Sequence, residues 1–235
     1  MSKVILIPDI HLKVDRAQRI LDKESPDFTI YLNDFPDDFN DTPEMNRKAA
    51  IWMKSKLIND NCVWLHSNHT SHYLSANRNA RCSGYSEHKD YAINDVLTNH
   101  DWLQLKWFYW LDDILITHAG LSNVFVDGLS IKEIKEKLDR EQEEATKQLY
   151  KLGGKHWFFN CGVVRYGSSP FGGLVWNDFD QEFIPVPGLK QVFGHSIVPE
   201  PTWNGDNLCL DTNLQHYAIY EAGTLTVHPV LPSIL

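Results

Sequence analysis

Short polar clusters follow apolar, strand-like runs at Asp9-Ile10-His11, at Asn33-Asp34-Phe35-Pro36-Asp37-Asp38, at Ser67-Asn68-His69 and, much later, at Thr117-His118 and Gly194-His195. Together they supply carboxylates, imidazoles and one carboxamide, the donor set of a hydrolytic centre with two metal ions. Hard oxygen donors mixed with imidazole suit Mn²⁺, Fe or Zn²⁺ and do not suit a structural zinc knot built on cysteine. Two such ions about 3.5–4 Å apart clamp the attacking and leaving oxygens of a phosphoryl transfer.

Each cluster by itself has a plainer reading. Asp9 and His11 sit two apart on an extended segment, so their side chains point the same way and could share one ion; a Pro-Asp-Ile-His turn is equally an ordinary strand end. Asp34 can bridge two ions with its two oxygens, and Asp37 lies within reach of a neighbour, yet Asp37, Asp38 and Asp41 also read as a solvated acidic turn. Asn68 offers a neutral oxygen, and His69 beside it could protonate a leaving group with Asp37 orienting the imidazole. What shifts the balance is recurrence of the pattern at successive strand ends.

The elements that must position these clusters are legible in the first third of the chain. Val4–Ile7, Phe28–Leu32 and Cys62–Leu65 read as strands, separated by helices near Asp15–Asp22 and Pro43–Ile58. Continuous apolar runs alternating with amphipathic ones indicate βαβ units and a parallel sheet buried on both faces, and ligands bind at the carboxyl edge of such sheets. Thr70–Lys89, with Arg78, Arg81 and Gly84, shows no period and is expected to be a long loop over the site. A helix near Asp90–Asn99 follows, then the aromatic run Trp102, Trp107, Phe108, Tyr109, Trp110, expected in the core of a second sheet entered by a hairpin at Asp112-Asp113. Ser130 to Glu133 is a capping-box pattern opening a charged helix that should stop near Gly153-Gly154. The last third offers short strand-like runs at Gly173–Trp176, Gln191–Gly194, Asn207–Asp211, His216–Tyr220 and Leu225–His228.

In this order and at these intervals, D-x-H, N-D-x-x-D, S-N-H, T-H-A-G-L and F-G-H-S resemble the calcineurin-like metallophosphoesterases. The nearest branch is that of the phosphoprotein phosphatases, with their bacteriophage and bacterial relatives and the symmetrical diadenosine tetraphosphate hydrolases. Leu174–Asp180 and Cys209–Asn213 also resemble it. The resemblance implies one α/β domain over residues 1–235, with two mixed β-sheets packed face to face and helices outside. It implies two divalent ions, Mn²⁺ foremost with Fe, Zn²⁺ or Ni²⁺ as substitutes. Asp9 and His11 would hold the first ion, Asp34 would bridge, and Asn68, His118 and His195 would hold the second. His69 becomes the general acid and Asp37 its partner, with a metal-bridged hydroxide as the nucleophile. Ile197 stands where many phosphodiesterase branches carry a further histidine, which favours the phosphatase branch.

The departures are specific. Asp38 and His66 occupy places where that branch has arginines, Asn33 and Ser67 replace glycines, and Thr70 replaces a glutamate. A carboxylate does not replace a guanidinium that grips phosphate, so Arg78, Arg81 and Arg165 become the candidate substrate contacts. The expected activity is hydrolysis of phosphomonoesters, including phosphoprotein Ser/Thr. The alternatives are a dinucleoside polyphosphate hydrolase or phosphodiesterase and, from another class, a catalytically weak metal-binding regulator acting through the Thr70–Lys89 loop.

Composition excludes several classes. With 235 residues, 43% hydrophobic and 23% charged, the chain is an ordinary globular one. A net charge of −9 argues against a broad duplex nucleic-acid footprint. Met-Ser-Lys runs straight into Val4, too short for a signal h-region, and no stretch approaches about 18 apolar residues, so a cytoplasmic protein without membrane partners is expected. Cys62, Cys82, Cys161 and Cys209 lack C-x-x-C spacing and are expected as buried free thiols. His72, His88, His100, His156, His216 and His228 match no motif and are expected as bystanders.

Overall fold

A computed structural model describes residues 2–38, 40–59, 61–74 and 83–231. The first strands are β1 (Val4–Asp9), β2 (Phe28–Asn33), β3 (Cys62–Trp64), β4 (Phe108–Leu111) and β5 (Ile114–Thr117). They are followed by β6 (Lys190–Phe193), β7 (Thr202–Asn204), β8 (Asn207–Cys209), β9 (His216–Glu221) and β10 (Thr224–Pro229). The helices are α1 (Val14–Glu24), α2 (Pro43–Asn59), α3 (Asn68–Leu74), α4 (Glu87–Asn94), α5 (Asn99–Trp102) and α6 (Ile131–Tyr150).

Two five-stranded mixed sheets result, ordered β10-β9-β1-β2-β3 and β4-β5-β6-β8-β7. β1, β2 and β3 run parallel, with Val4 opposite Phe28 and Thr29 opposite Cys62. β5, β6 and β8 run parallel in the other sheet. The run Val4-Ile5-Leu6-Ile7 is apolar throughout because both of its faces are covered. Val4 and Leu6 pack with Ile30, Leu32, Ile116, Val192 and Leu208 between the sheets. Ile5, Ile7, Tyr31 and Trp64 pack the other way with Ala17, Ile20 and Met53 of α1 and α2. Each fully buried aliphatic side chain of this kind contributes roughly 1.5–3 kcal/mol. The expected sandwich with helices outside is therefore the fold observed.

Several local expectations change. Thr70–Lys89 is not one loop: α3 continues to Leu74 and α4 begins at Glu87, while residues 75–82, including Arg78, Arg81 and Cys82, lie outside the described residues. α4 starts earlier than expected because Ser86 caps it, accepting the Lys89 N–H, and a Thr98/Asp101 capping box opens the separate α5. Trp102 and Trp107 pack under the helices, in the cluster with Leu115 and Ile134. The Ser130/Glu133 capping box forms, and α6 ends at Tyr150, short of Gly153. Gly173–Trp176 is a turn rather than a strand, closed by Trp176 N–H on the Gly173 carbonyl. Cys209 is buried, whereas Cys62 and Cys161 are half-buried; all three are free.

Candidate metal centre

The parallel strands bring their carboxyl ends to one edge of the sandwich. Asp9 ends β1, Asp34 follows β2, His118 follows β5 and His195 follows β6 by one residue. Asn68 opens α3 a few residues past β3. The turns that deliver these groups are strained: His11, Asn33, Asp34 and His195 have φ of 46°, 93°, 53° and 68°, a left-handed region uncommon for residues with a Cβ. Asn33, at the place of a glycine in the resembling branch, holds its conformation by donating from Nδ2 to the Leu65 carbonyl (2.6 Å) and accepting the Phe35 N–H on Oδ1 (3.2 Å).

The imidazoles have defined tautomers. His11 Nδ1 lies 2.6 Å from the Asp37 carbonyl and His118 Nδ1 lies 2.9 Å from the Leu32 carbonyl. A carbonyl only accepts, so each Nδ1 carries a proton and Nε2 is left toward the site, the arrangement that orients a metal-ligating histidine. His11 Nε2 lies 3.7 Å from Asp34 Oδ2. His118 Nε2 faces Asn68 Oδ1 at 2.9 Å and Asp34 Oδ1 at 3.5 Å. Electron-rich atoms thus converge, and a cation among them relieves the repulsion.

Other buried atoms have the same need. Asp9 Oδ1, Asp34 Oδ1 and both ring nitrogens of His195 are buried without a hydrogen-bond partner, a costly state for polar groups. Burial lowers the His118 pKa to about 4 and puts that of His195 well below its usual value, so both rings are neutral, as ligands must be. Burial and the carboxylates of Asp211 and Asp34 raise the Asp9 pKa. Burial opposes ionisation of Asp34, but the His69 imidazole, foremost among its neighbours, holds its carboxyl below the usual carboxylate range. Asp34, His118 and His195 each offer an atom within 4.8 Å of the others. The donor set therefore fits divalent cations.

Asp37 lies beside this centre and differs from it. Its Oδ2 meets His69 Nδ1 at 3.0 Å and His72 Nε2 at 2.8 Å; its Oδ1 accepts from the Tyr73 hydroxyl at 2.6 Å and the Lys89 ammonium at 3.3 Å. Burial opposes ionisation of Asp37, but His69 and His72 hold its carboxyl far below the usual carboxylate range. Lys89 also donates to the Gly84 carbonyl (2.7 Å) and pairs with Asp41. Gly84, at φ +97°, closes over Asp37 so tightly that a Cβ would come 3.1 Å from Asp37 Cγ. On the other cluster, a Cβ at Gly194 would come 2.4 Å from Asp9 Oδ1, which the His195 N–H holds through Oδ2 at 2.6 Å.

Of the residues expected at the site, Asp9, His11, Asp34, Asn68, His118 and His195 come together, with Asp37 and His69 adjoining. Four further residues escaped the sequence reading. His72 and Tyr73, expected as a bystander and not singled out, respectively, follow His69 by one helical turn on α3 and share its face; reading Asn68–Leu74 as a helix would have found them. Lys89 reaches Asp37 only through the tertiary fold. Asp211 lies beside Asp9 and anchors the Asn213 N–H at 2.9 Å; it falls within the Cys209–Asn213 tract.

The places of the branch arginines have distinct fates. His66 is buried against Trp107, ring centroids 4.2 Å apart, and burial lowers its pKa to about 3, so it offers no cation. Asp38 borders a cleft of about 430 Å³ that also meets His11, Lys13, His69 and Asn213. Ile197 separates it from a second cleft of about 390 Å³ bordered by Arg165 and His195. Arg165 pairs with Asp178 (Nε to Oδ2, 2.8 Å) and donates to the Ser196 hydroxyl (3.0 Å).

The calcineurin-like phosphoesterase family model matches residues 2–199. The chain belongs to this family. It is a metal-dependent phosphoric ester hydrolase of a dinuclear class. The fold is similar to that of a cold-active protein-tyrosine phosphatase from a psychrophilic Shewanella, with 13% identity, a TM-score of 0.66, and 98% of this chain and 78% of that one covered. It is also similar to a protein serine/threonine phosphatase from Saccharomyces cerevisiae, with 13% identity, a TM-score of 0.53, and coverage of 97% and 79%. A diadenosine tetraphosphatase, itself so named only provisionally, matches with 15% identity, a TM-score of 0.51, and coverage of 97% and 93%. At these identities the likeness is one of fold. No curated protein matches the sequence significantly. Among the described residues, no helix is long and apolar enough to cross a membrane.

Proposed function

We propose that residues 1–235 act as one domain that hydrolyses phosphomonoesters, including phosphoserine or phosphothreonine in proteins, with two divalent ions, Mn²⁺ foremost. Asp9, His11 and Asp34 would hold one ion; Asp34, Asn68, His118 and His195 would hold the other. When bound, such ions neutralise phosphoryl oxygens and make water nucleophilic near neutral pH. The observation that carries this reading is the set of orphaned buried atoms on Asp9, Asp34 and His195, which no protein donor satisfies.

The chain's own residues supply the rest. His69, its Nδ1 on Asp37, borders the cleft and is placed to give a proton to the departing oxygen. Asp37 keeps that ring oriented and is itself fixed by His72, Tyr73 and Lys89. Arg165 would contact substrate from the second cleft, its guanidinium held by Asp178 and Ser196; Arg78 and Arg81 keep the same proposed role from outside the described residues. Purified protein loaded with Mn²⁺ should turn over an aryl phosphate faster than an aryl phosphodiester or a dinucleoside tetraphosphate. Preference for the dinucleotide would move the assignment to the polyphosphate hydrolases, and absence of turnover on all three with metal bound would favour a regulatory protein.

A further inference from the structure

The cleft beside His11 and His69 has an acidic wall, Asp37 and Asp38, and must admit a phosphate. The Asp37 charge is absorbed by the donors converging on it. Among the described residues lining this cleft, Lys13 is the one lysine or arginine. Its ammonium rests 3.3 Å from Asp38 Oδ2, longer than the roughly 2.7–2.9 Å of a strong charge-assisted bond. Both side chains are part-exposed, at 23% and 31%.

The backbone of Lys13 is anchored at both its N–H and its carbonyl, and its part-exposed ammonium reaches Asp38. Its N–H donates to the Ile10 carbonyl at 2.9 Å, and its own carbonyl accepts from Arg16 and Ala17 N–H at 3.0 Å, at the turn that also carries His11. The flexible four-carbon stem thus pivots from an anchored point two residues past a metal-centre histidine. Arg165 contrasts with it, its guanidinium tied at 2.8 Å to Asp178 and at 3.0 Å to Ser196. Lys89 is committed to Asp37, Asp41 and Gly84.

We propose that Lys13 is the phosphate-binding cation of this cleft, parked on Asp38 until a dianionic phosphate displaces that carboxylate. This rests on the phosphomonoesterase reading of the site and adds the residue that selects for the dianion. Asp38 is then a competitor of the substrate, which gives the two residues opposite signs. Losing Lys13 weakens phosphate binding; neutralising Asp38 strengthens it.

The test is titration calorimetry of inorganic phosphate into the Mn²⁺-loaded protein, with metal content and melting temperature measured on every variant. Lys13→Met should bind phosphate about 10- to 100-fold more weakly, the usual effect of one charge-assisted hydrogen bond. Lys13→Arg should keep the affinity, and Asp38→Asn should tighten it. Metal content should stay at the parent's value in all three. Unchanged phosphate affinity in Lys13→Met would overturn the proposal, as would weaker binding in Asp38→Asn. If the parent hydrolyses no phosphomonoester while Lys13→Met still loses phosphate affinity, the substrate assignment fails and the role of Lys13 stands.

Discussion

Two adjoining clusters, Asp34/His118/His195 and Asp37/His69/His72, each offer three donor atoms within 4.8 Å of one another. They are close enough that the rings of His11 and His69 lie 5.6 Å apart. In the first, Asp34 Oδ1 and both His195 nitrogens have no partner. In the second, each Asp37 oxygen meets two partners, one of them a lysine ammonium. Donor geometry alone therefore does not identify a metal site. The state of the lone pairs separates the two clusters, because a cation is drawn to unsatisfied acceptors and repelled by a resident ammonium.

The sharpest way to break this contrast is at Asp34. Asp34→Asn, or removal of metal by chelator, should abolish hydrolysis and lower bound metal, whereas His72→Gln should leave metal content at the parent's value. Chelated protein that turns over at the original rate with no metal detected would sink the distinction.

Next in size is His69→Asn, which should lower kcat by roughly 10²–10⁴, the contribution of a positioned acid, with metal retained. Asp37→Asn should lose less. The His69 effect should shrink on aryl phosphates, whose leaving groups need little protonation; equal losses on alkyl and aryl substrates would count against the role.

The two glycines probe the clusters separately. Gly194→Ala pushes a methyl toward Asp9 and should weaken metal affinity, while Gly84→Ala crowds Asp37 and should lower kcat with metal unchanged. Metal analysis alongside kinetics on both variants checks the split, and loss of metal in Gly84→Ala would contradict it.

Lys89→Met should destabilise the fold by about 1.5–3 kcal/mol, the worth of a charged hydrogen bond, with metal content unaltered; urea unfolding measures it.

The smallest effect lies far from both clusters, at Glu24. Burial raises its pKa, but hydrogen bonds from Lys3, Tyr217 and Lys23 prevail and lower it from 4.5 to about 2. A depressed carboxyl stabilises the fold fully above pH 4.5, and that stability is lost as pH falls through 2. Glu24→Gln should therefore flatten the decline in unfolding free energy between those values and leave metal binding untouched. An unaltered acid limb would rule this out.

Much of the centre was legible because its donors sit at the ends of uninterrupted apolar runs, and such runs become buried parallel strands wherever helices alternate with them. Asp9, Asp34 and Asn68 could thus be assigned to one edge before any coordinates. The alternation of Val4 and Leu6 against Ile5 and Ile7, by contrast, is invisible in a run where every residue is apolar; which face meets the other sheet is settled by packing. α3 was missed because Asn-His-Thr-Ser-His-Tyr-Leu lacks an apolar period, most of its buried side chains being polar.

What the sequence determined by itself is the kind of chemistry: hard oxygen donors, imidazoles and their order along the chain, set by residue type and local periodicity. What only the tertiary structure decided is the division of labour among those residues. Lys89 reaches Asp37 across 52 positions of chain, and His195 meets Asp9 across 186. Such contacts depend on how the sheets stack and the loops close. Whether a buried carboxylate awaits a cation or is already satisfied depends on them, and no local pattern encodes it.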